Sequence, residues 1–202
     1  MAIVNINVSV TNPPKPSQLL KSGAMISMGG TTLNAGEYQL LTNESDLASI
    51  LAPEKSISSL AWATGVVTVT LSAAHGWANG TQVPVLISGS APAGYNGAYT
   101  ATVTGANTFT YPLTTNPGTA TTMGSVKTVV SNEISQMNTS FWSQGKTRSV
   151  YVLELGDVSI ADAVTALTAF IADDVSLGNT YQKFFSYLVP REWESNASFK
   201  TL

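Results

Sequence analysis

From residue 56 to residue 126 the chain contains no Lys, Arg, Asp or Glu, although both flanks carry them. The shift in composition at both borders marks a unit of different character set into the chain. Within it, Val67, Val69 and Leu71 alternate with Thr68 and Thr70, the period-two pattern of a half-buried strand. Three more inward rows follow: Val83, Val85 and Ile87; Tyr99, Ala101 and Val103; Phe109, Tyr111 and Leu113. Gly, Asn or Pro turn residues separate them, so the stretch predicts a small all-β module, either a sandwich or a barrel.

The flanks follow other periods. Ile3, Ile6, Val8 and Val10 alternate with polar residues, and Pro13, Pro14 and Pro16 then forbid continuation as a central strand. Residues 1–14 therefore predict an extended arm, with those four apolar residues as its interaction positions. Glu44 to Leu51 predicts a short helix, capped by Asn43 with Asp46 as the capping-box acid and stopped by Pro53. After the module, Val130, Ile134, Met137 and Phe141 fall at helical spacing, with Gly145 as a stop. The apolar run Val150 to Leu155 predicts a buried strand. Ile160, Ala163, Val164, Leu167, Phe170 and Ile171 predict the next helix, begun by Ser159 and Asp162. A second strand from Phe184 to Val189 completes a parallel crossover, expected to be right-handed.

The expected fold class is thus α/β, a mixed sheet with flanking helices, interrupted by an inserted all-β sandwich or barrel-like module. Residues 15–57 and 127–202 form the discontinuous α/β domain, and residues 58–126 the insert. The chain stops where Pro190 to Phe199 reads as the start of a further helix. A parallel sheet of so few strands is expected to leave a face bare for missing chain or a partner.

Composition narrows the partners. In 202 residues only 10% are charged, against about 25% in a typical soluble domain, which suggests surfaces covered by neighbours. A net charge of −3 and the lack of a basic run argue against nucleic acid. With 44% hydrophobic residues a real core is affordable, and with no cysteine it must rest on packing. No unbroken apolar run reaches membrane-spanning length, and the N-terminal stretch lacks the pattern of a signal peptide.

Catalytic constellations are missing. His75 is the only histidine, in a run without a neighbouring acid, and reads as a turn residue capping backbone groups. Ser143, Gln144, Gly145 and Lys146 match S-x-x-K without the companion motifs that give it meaning. Gly29, Gly30, Thr31 and Thr32 lack the lysine of a phosphate-binding loop and read as a turn. Asp173 and Asp174 read as solvated surface, and Asn138-Thr139-Ser140 as a sequon of no consequence. No cofactor or metal site is expected, and no enzymatic activity.

The flanks carry a resemblance. Val8-Ser9-Val10-Thr11-Asn12-Pro13-Pro14, Gly23-Ala24-Met25-Ile26-Ser27, Leu41-Thr42 and Asp46-Leu47, in that order, resemble the N-terminal part of contractile-tail bacteriophage sheath proteins. Val150 to Gly156 with Tyr187-Leu188-Val189-Pro190 is similar to that family's first α/β unit. Ala74-His75-Gly76, Gly94-Tyr95-Asn96-Gly97 and Asn107 to Tyr111 are similar to a β module of phage virion proteins. The resemblance implies a structural virion protein, made in the host bacterial cytoplasm and located in the phage tail. It would polymerise with other sheath subunits around the tail tube protein and contract to drive genome delivery. Terminal arms in that family add strands to neighbouring subunits. Family members are longer, so the resemblance implies a fragment lacking the C-terminal part of the α/β domain, and this chain by itself could be monomeric. The alternative is a surface-exposed module that recognises host glycans through Trp77, Tyr95 and Tyr99.

Overall fold

The computed structural model describes residues 23–145, 149–176, 184, 186–197 and 199–201. Two sheets organise them. One is mixed and four-stranded, built from β1 (Gly23–Ser27), β2 (Tyr38–Leu41), β9 (Val150–Glu154) and β10 (Ser186–Leu188) in the order β10-β1-β9-β2. The other is a closed barrel of β3 (Lys55–Ala63), β4 (Val66–Leu71), β5 (Gln82–Ser88), β6 (Gly97–Val103), β7 (Thr108–Pro112) and β8 (Ser125–Thr128). Helices are sparse: α1 (Val129–Ser143), α2 (Ile160–Ser176) and a few short 3-10 turns.

The mixed sheet is covered on both faces. Ala24 and Ile26 of β1 and Leu153 of β9 pack with Ala163, Val164 and Leu167 of α2, together with Phe184 and Trp193. On the opposite face Met25, Val150 and Val152 pack with Leu41, Leu47 and Ile50 and with Ile134 and Trp142 of α1. Alternate residues of β1 and β9 serve the two layers, which is why both strands read as unbroken apolar runs. The expectation of a bare face is therefore corrected: α1, which arrives only after the barrel, supplies the second layer.

β1 runs parallel to both β9 and β10 and lies between them, so β9 and β10 are parallel but not neighbours. β2 closes the other side antiparallel to β9. The early turn forms as a 3-10 helix over Glu44–Ser49, with Asn43 Oδ1 accepting from Ser45 N at 3.0 Å and Asp46 Oδ2 accepting from Asn43 N at 3.1 Å. Ser159 and Asp162 bond reciprocally at the start of α2, at 2.7 and 3.2 Å. The last stretch forms two 3-10 turns, Arg191–Ser195 and Phe199–Thr201, in place of a continuous helix.

The barrel, not a sandwich, is the form the charge-free stretch takes. The four inward rows lie on β4, β5, β6 and β7 except for Leu113, one residue past the end of β7, and Val67, Val69, Leu71, Val85, Ile87, Ala101, Val103, Phe109 and Tyr111 are buried. Threonines stand on the outer face, where Thr68 and Thr102 both pair in register with Thr110. Closure comes from β3 and β8, where Lys55 pairs with Val126 and Ser56 with Ser125. The two borders of the charge-free stretch are thus cross-strand neighbours.

Candidate functional site

Ile3, Ile6, Val8 and Val10 lie outside the described residues, as does Lys146 of the S-x-x-K match. What the structure does describe is the end strand of the mixed sheet. β2 ends the mixed sheet, and among the described residues no strand pairs with its outer side. Its sequence Tyr38-Gln39-Leu40-Leu41 holds neither charge nor proline, the usual guards of an open edge. Tyr38 and Leu40 are 42% and 40% exposed and point to the same face, while Leu41 anchors the strand in the core. Tyr38 sits edge-on to Tyr151 and Phe184, with ring centroids 5.8 and 5.5 Å apart, so the edge carries an apolar aromatic ledge of fixed geometry. β10, at the opposite end, exposes Leu188 but is only three residues long.

The three aromatics of the glycan alternative occupy different places in the barrel. Tyr95 is buried and its hydroxyl donates to Gly118 O at 2.6 Å. Tyr99 is half-buried and stacks on buried Tyr111 with centroids 4.1 Å apart. Trp77 lies in the β4–β5 loop, stacked on His75 at 4.6 Å and packed on Phe109. β5 runs from the Trp77 end of the barrel to the Tyr95 end, so the two rings stand at opposite ends. Burial pushes the Tyr111 phenol well above its ordinary range, with the Tyr99 and Tyr95 phenols adding to the effect.

His75 caps its own loop: Nδ1 accepts from Trp77 N at 3.0 Å, while His75 N donates to Ala106 O at 3.1 Å. Asn138 of the sequon is buried, donating to Glu44 O and accepting from Trp142 Nε1, both at 2.9 Å. Among the described residues no group of three or more His, Cys, Asp or Glu could hold a metal ion, and no helix is long and apolar enough to cross a membrane.

The residue that sequence reasoning passed over is Glu154, only 1% exposed at the end of β9. Oε1 accepts from Gly29 N at 2.6 Å and Gly156 N at 2.8 Å; Oε2 accepts from Thr31 Oγ1 at 2.7 Å and Thr31 N at 3.2 Å. Its own amide and carbonyl bond Glu37 O and Gly36 N. The Gly-Gly-Thr turn thus folds around a carboxylate of its own chain, and Glu154 ties three loops to one end of the sheet. A lone acid within an apolar run, two residues before a glycine, was the available signal.

No protein-family description, curated protein or solved structure matches the chain.

Proposed function

We propose that the chain is a structural assembly protein without enzymatic activity, a subunit of a contractile phage tail sheath, and that it associates by strand addition. In this reading residues 1–14 are the arm, residues 15–57 and 127–202 the discontinuous sheath-like domain, and residues 58–126 the insert. The partners are other sheath subunits and the tail tube protein, in the virion. The observation that carries the reading is the uncharged β2 edge, unpaired on its outer side among the described residues, with Tyr38 and Leu40 exposed beside it. An unguarded apolar edge is a template for another chain's strand: main-chain hydrogen bonds supply affinity and alternate side-chain pockets supply specificity. Ile3, Ile6, Val8 and Val10 supply the apolar side chains such a strand needs. The neutral threonine face of the barrel favours neither nucleic acid nor any strongly charged partner.

Host-glycan recognition by the barrel has less in its favour, because Tyr95 is buried and Trp77 and Tyr99 are committed to stacking within the module. The test is assembly of the full chain followed by sedimentation and negative-stain microscopy over a range of concentrations. Rings, tubes or concentration-dependent oligomers are expected, and both Leu40→Lys and removal of residues 1–12 should abolish them. A chain that stays monomeric throughout, with residues 3–10 already protected from hydrogen exchange, would overturn the proposal.

A further inference from the structure

A module set into another domain commonly hangs on flexible linkers, and relative motion is the default where the interface is not large and apolar. That default is the first expectation for the barrel, because its buried cluster shares no residue with either cluster of the mixed sheet. A hinge, however, needs residues free to absorb changes in φ and ψ. The two crossings between barrel and α/β unit supply almost none.

The exit crossing has no linker. Thr128 is the last residue of β8, in register with Val85 of β5, and it is also the N-cap of α1, its hydroxyl accepting from Ser131 N at 3.2 Å. One residue thus belongs both to the barrel ladder and to the helix. The first turn of that helix is fixed by the α/β unit. Val130 packs against the cluster that contains Ala24 and Ile26, and the Gly30 loop comes so close that a Cβ at Gly30 would stand 2.9 Å from Val130 O.

The entry crossing is nearly as short. Ala52 N donates to Gly30 O at 2.9 Å and Ala52 O accepts from Ser131 Oγ at 3.2 Å, so this residue is bonded to the α/β unit through both of its backbone polar groups. Lys55 is already in the barrel, paired with Val126. Only Pro53 and Glu54 lie between. The ring fixes φ of Pro53 and holds Ala52 in the extended region, while the Glu54 carboxylate accepts from Ser125 Oγ at the start of β8. Ser131, only 1% exposed, joins the crossings: its amide bonds the exit cap and its hydroxyl bonds the entry strand.

We infer that the barrel is a rigid arm of the subunit: it keeps one fixed orientation to the mixed sheet, and Ser131 is the positioning residue that locks the two crossings together. Any contact made on the barrel is then made in a fixed direction relative to the sheet. The inference goes beyond the assembly reading and does not rest on it, since it concerns a single chain.

Residual dipolar couplings of the backbone amides, measured on the full chain at a dilution where it is monomeric, test it. Couplings from β4 to β7 and from β1, β9 and α2 should fit one alignment tensor, and amide nitrogen relaxation should give both units one correlation time. Inserting two glycines between Thr128 and Val129 should split the fit into two tensors and shorten the barrel's apparent correlation time. Barrel amide shifts that stay at the parent's positions would show that the module is still folded. Ser131→Ala should shift the fit in the same direction to a smaller extent, while Ser143→Ala, at the far end of the same helix, leaves it at the parent's. The parent measurement can overturn the inference by itself, whatever the variants do: two tensors there would mean a tethered barrel. A single tensor that survives the glycine insertion would show that these crossings do not hold the orientation, and equal behaviour of Ser131→Ala and Ser143→Ala would strike Ser131 from the mount.

Discussion

Replacing Glu154 by glutamine changes almost no volume, yet it should unfold the α/β unit far more readily. The carboxylate accepts four hydrogen bonds in a site from which water is excluded. Glutamine keeps one acceptor oxygen, best placed toward the backbone amides of Gly29 and Gly156, neither of which can turn away. Its amino group then faces Thr31. The threonine hydroxyl can rotate to accept, but Thr31 N is left without an acceptor, at a cost of about 1–3 kcal/mol. The bonds that survive lose the charge that roughly doubled their strength. Against this stands the relief of no longer burying an ion, so the net loss is about 2–4 kcal/mol. In a chain of this size that lowers the melting temperature by about 5–15 °C. Urea unfolding followed by circular dichroism and tryptophan fluorescence measures it. Glu154→Ala should cost more, and in the Glu154→Gln, Thr31→Val double mutant the two losses should not add. A glutamine variant within about 1 kcal/mol of the parent would refute the argument that this carboxylate pins the three loops.

Three further outcomes are expected. Gly124 has φ of +70°, and an added Cβ would collide with Ser88 O and Ser90 N where the end of β5 meets β8, so Gly124→Ala should destabilise the barrel by about 2 kcal/mol or more in thermal melts. Thr42 N first, and Asn43 N less strongly, hold the Asp46 carboxyl below its ordinary value. A depressed folded pKa contributes stability that is present above the unfolded pKa and lost as pH falls through the folded one, so on acidification below the ordinary carboxylate range Asp46→Asn should lose less stability than the parent. Replacing residues 57–125 with a short Gly/Ser linker should leave a cooperatively folding α/β unit by calorimetry, since Lys55 and Val126 are already cross-strand neighbours; a non-cooperative melt would show that the barrel is part of that unit's core.

Much of this architecture is legible in local pattern. The four inward rows of the barrel, the α1 and α2 stripes and the caps at Asn43 and Ser159 depend on side-chain period and on hydrogen bonds within a few residues, and they form where those periods place them. β3 escaped because a register shift between Ile57 and Ser59 breaks its alternation, leaving Ile57 and Leu60 inward at odd spacing. β8 escaped because four residues with one buried side chain, Val126, carry no period at all. The role of Glu154 could not be read locally, since its donors Gly29 and Thr31 lie more than a hundred residues away.

By itself, the sequence determined strands β4 to β7, β9 and β10 and the helices α1 and α2, with the apolar side of each, because those follow from apolar runs and from periods of two and 3.6 residues. The charge-free run from residue 56 to residue 126 falls inside the span of the barrel strands, which begin at Lys55 and end at Thr128. Only the tertiary structure decided that the inserted sheet closes on itself, that α1 returns to cover the second face of the mixed sheet, and that Glu154 gathers Gly29 and Thr31 around its carboxylate. Each of those is a pairing between residues far apart in the chain, selected by which faces must be buried together, and no single segment encodes its partner.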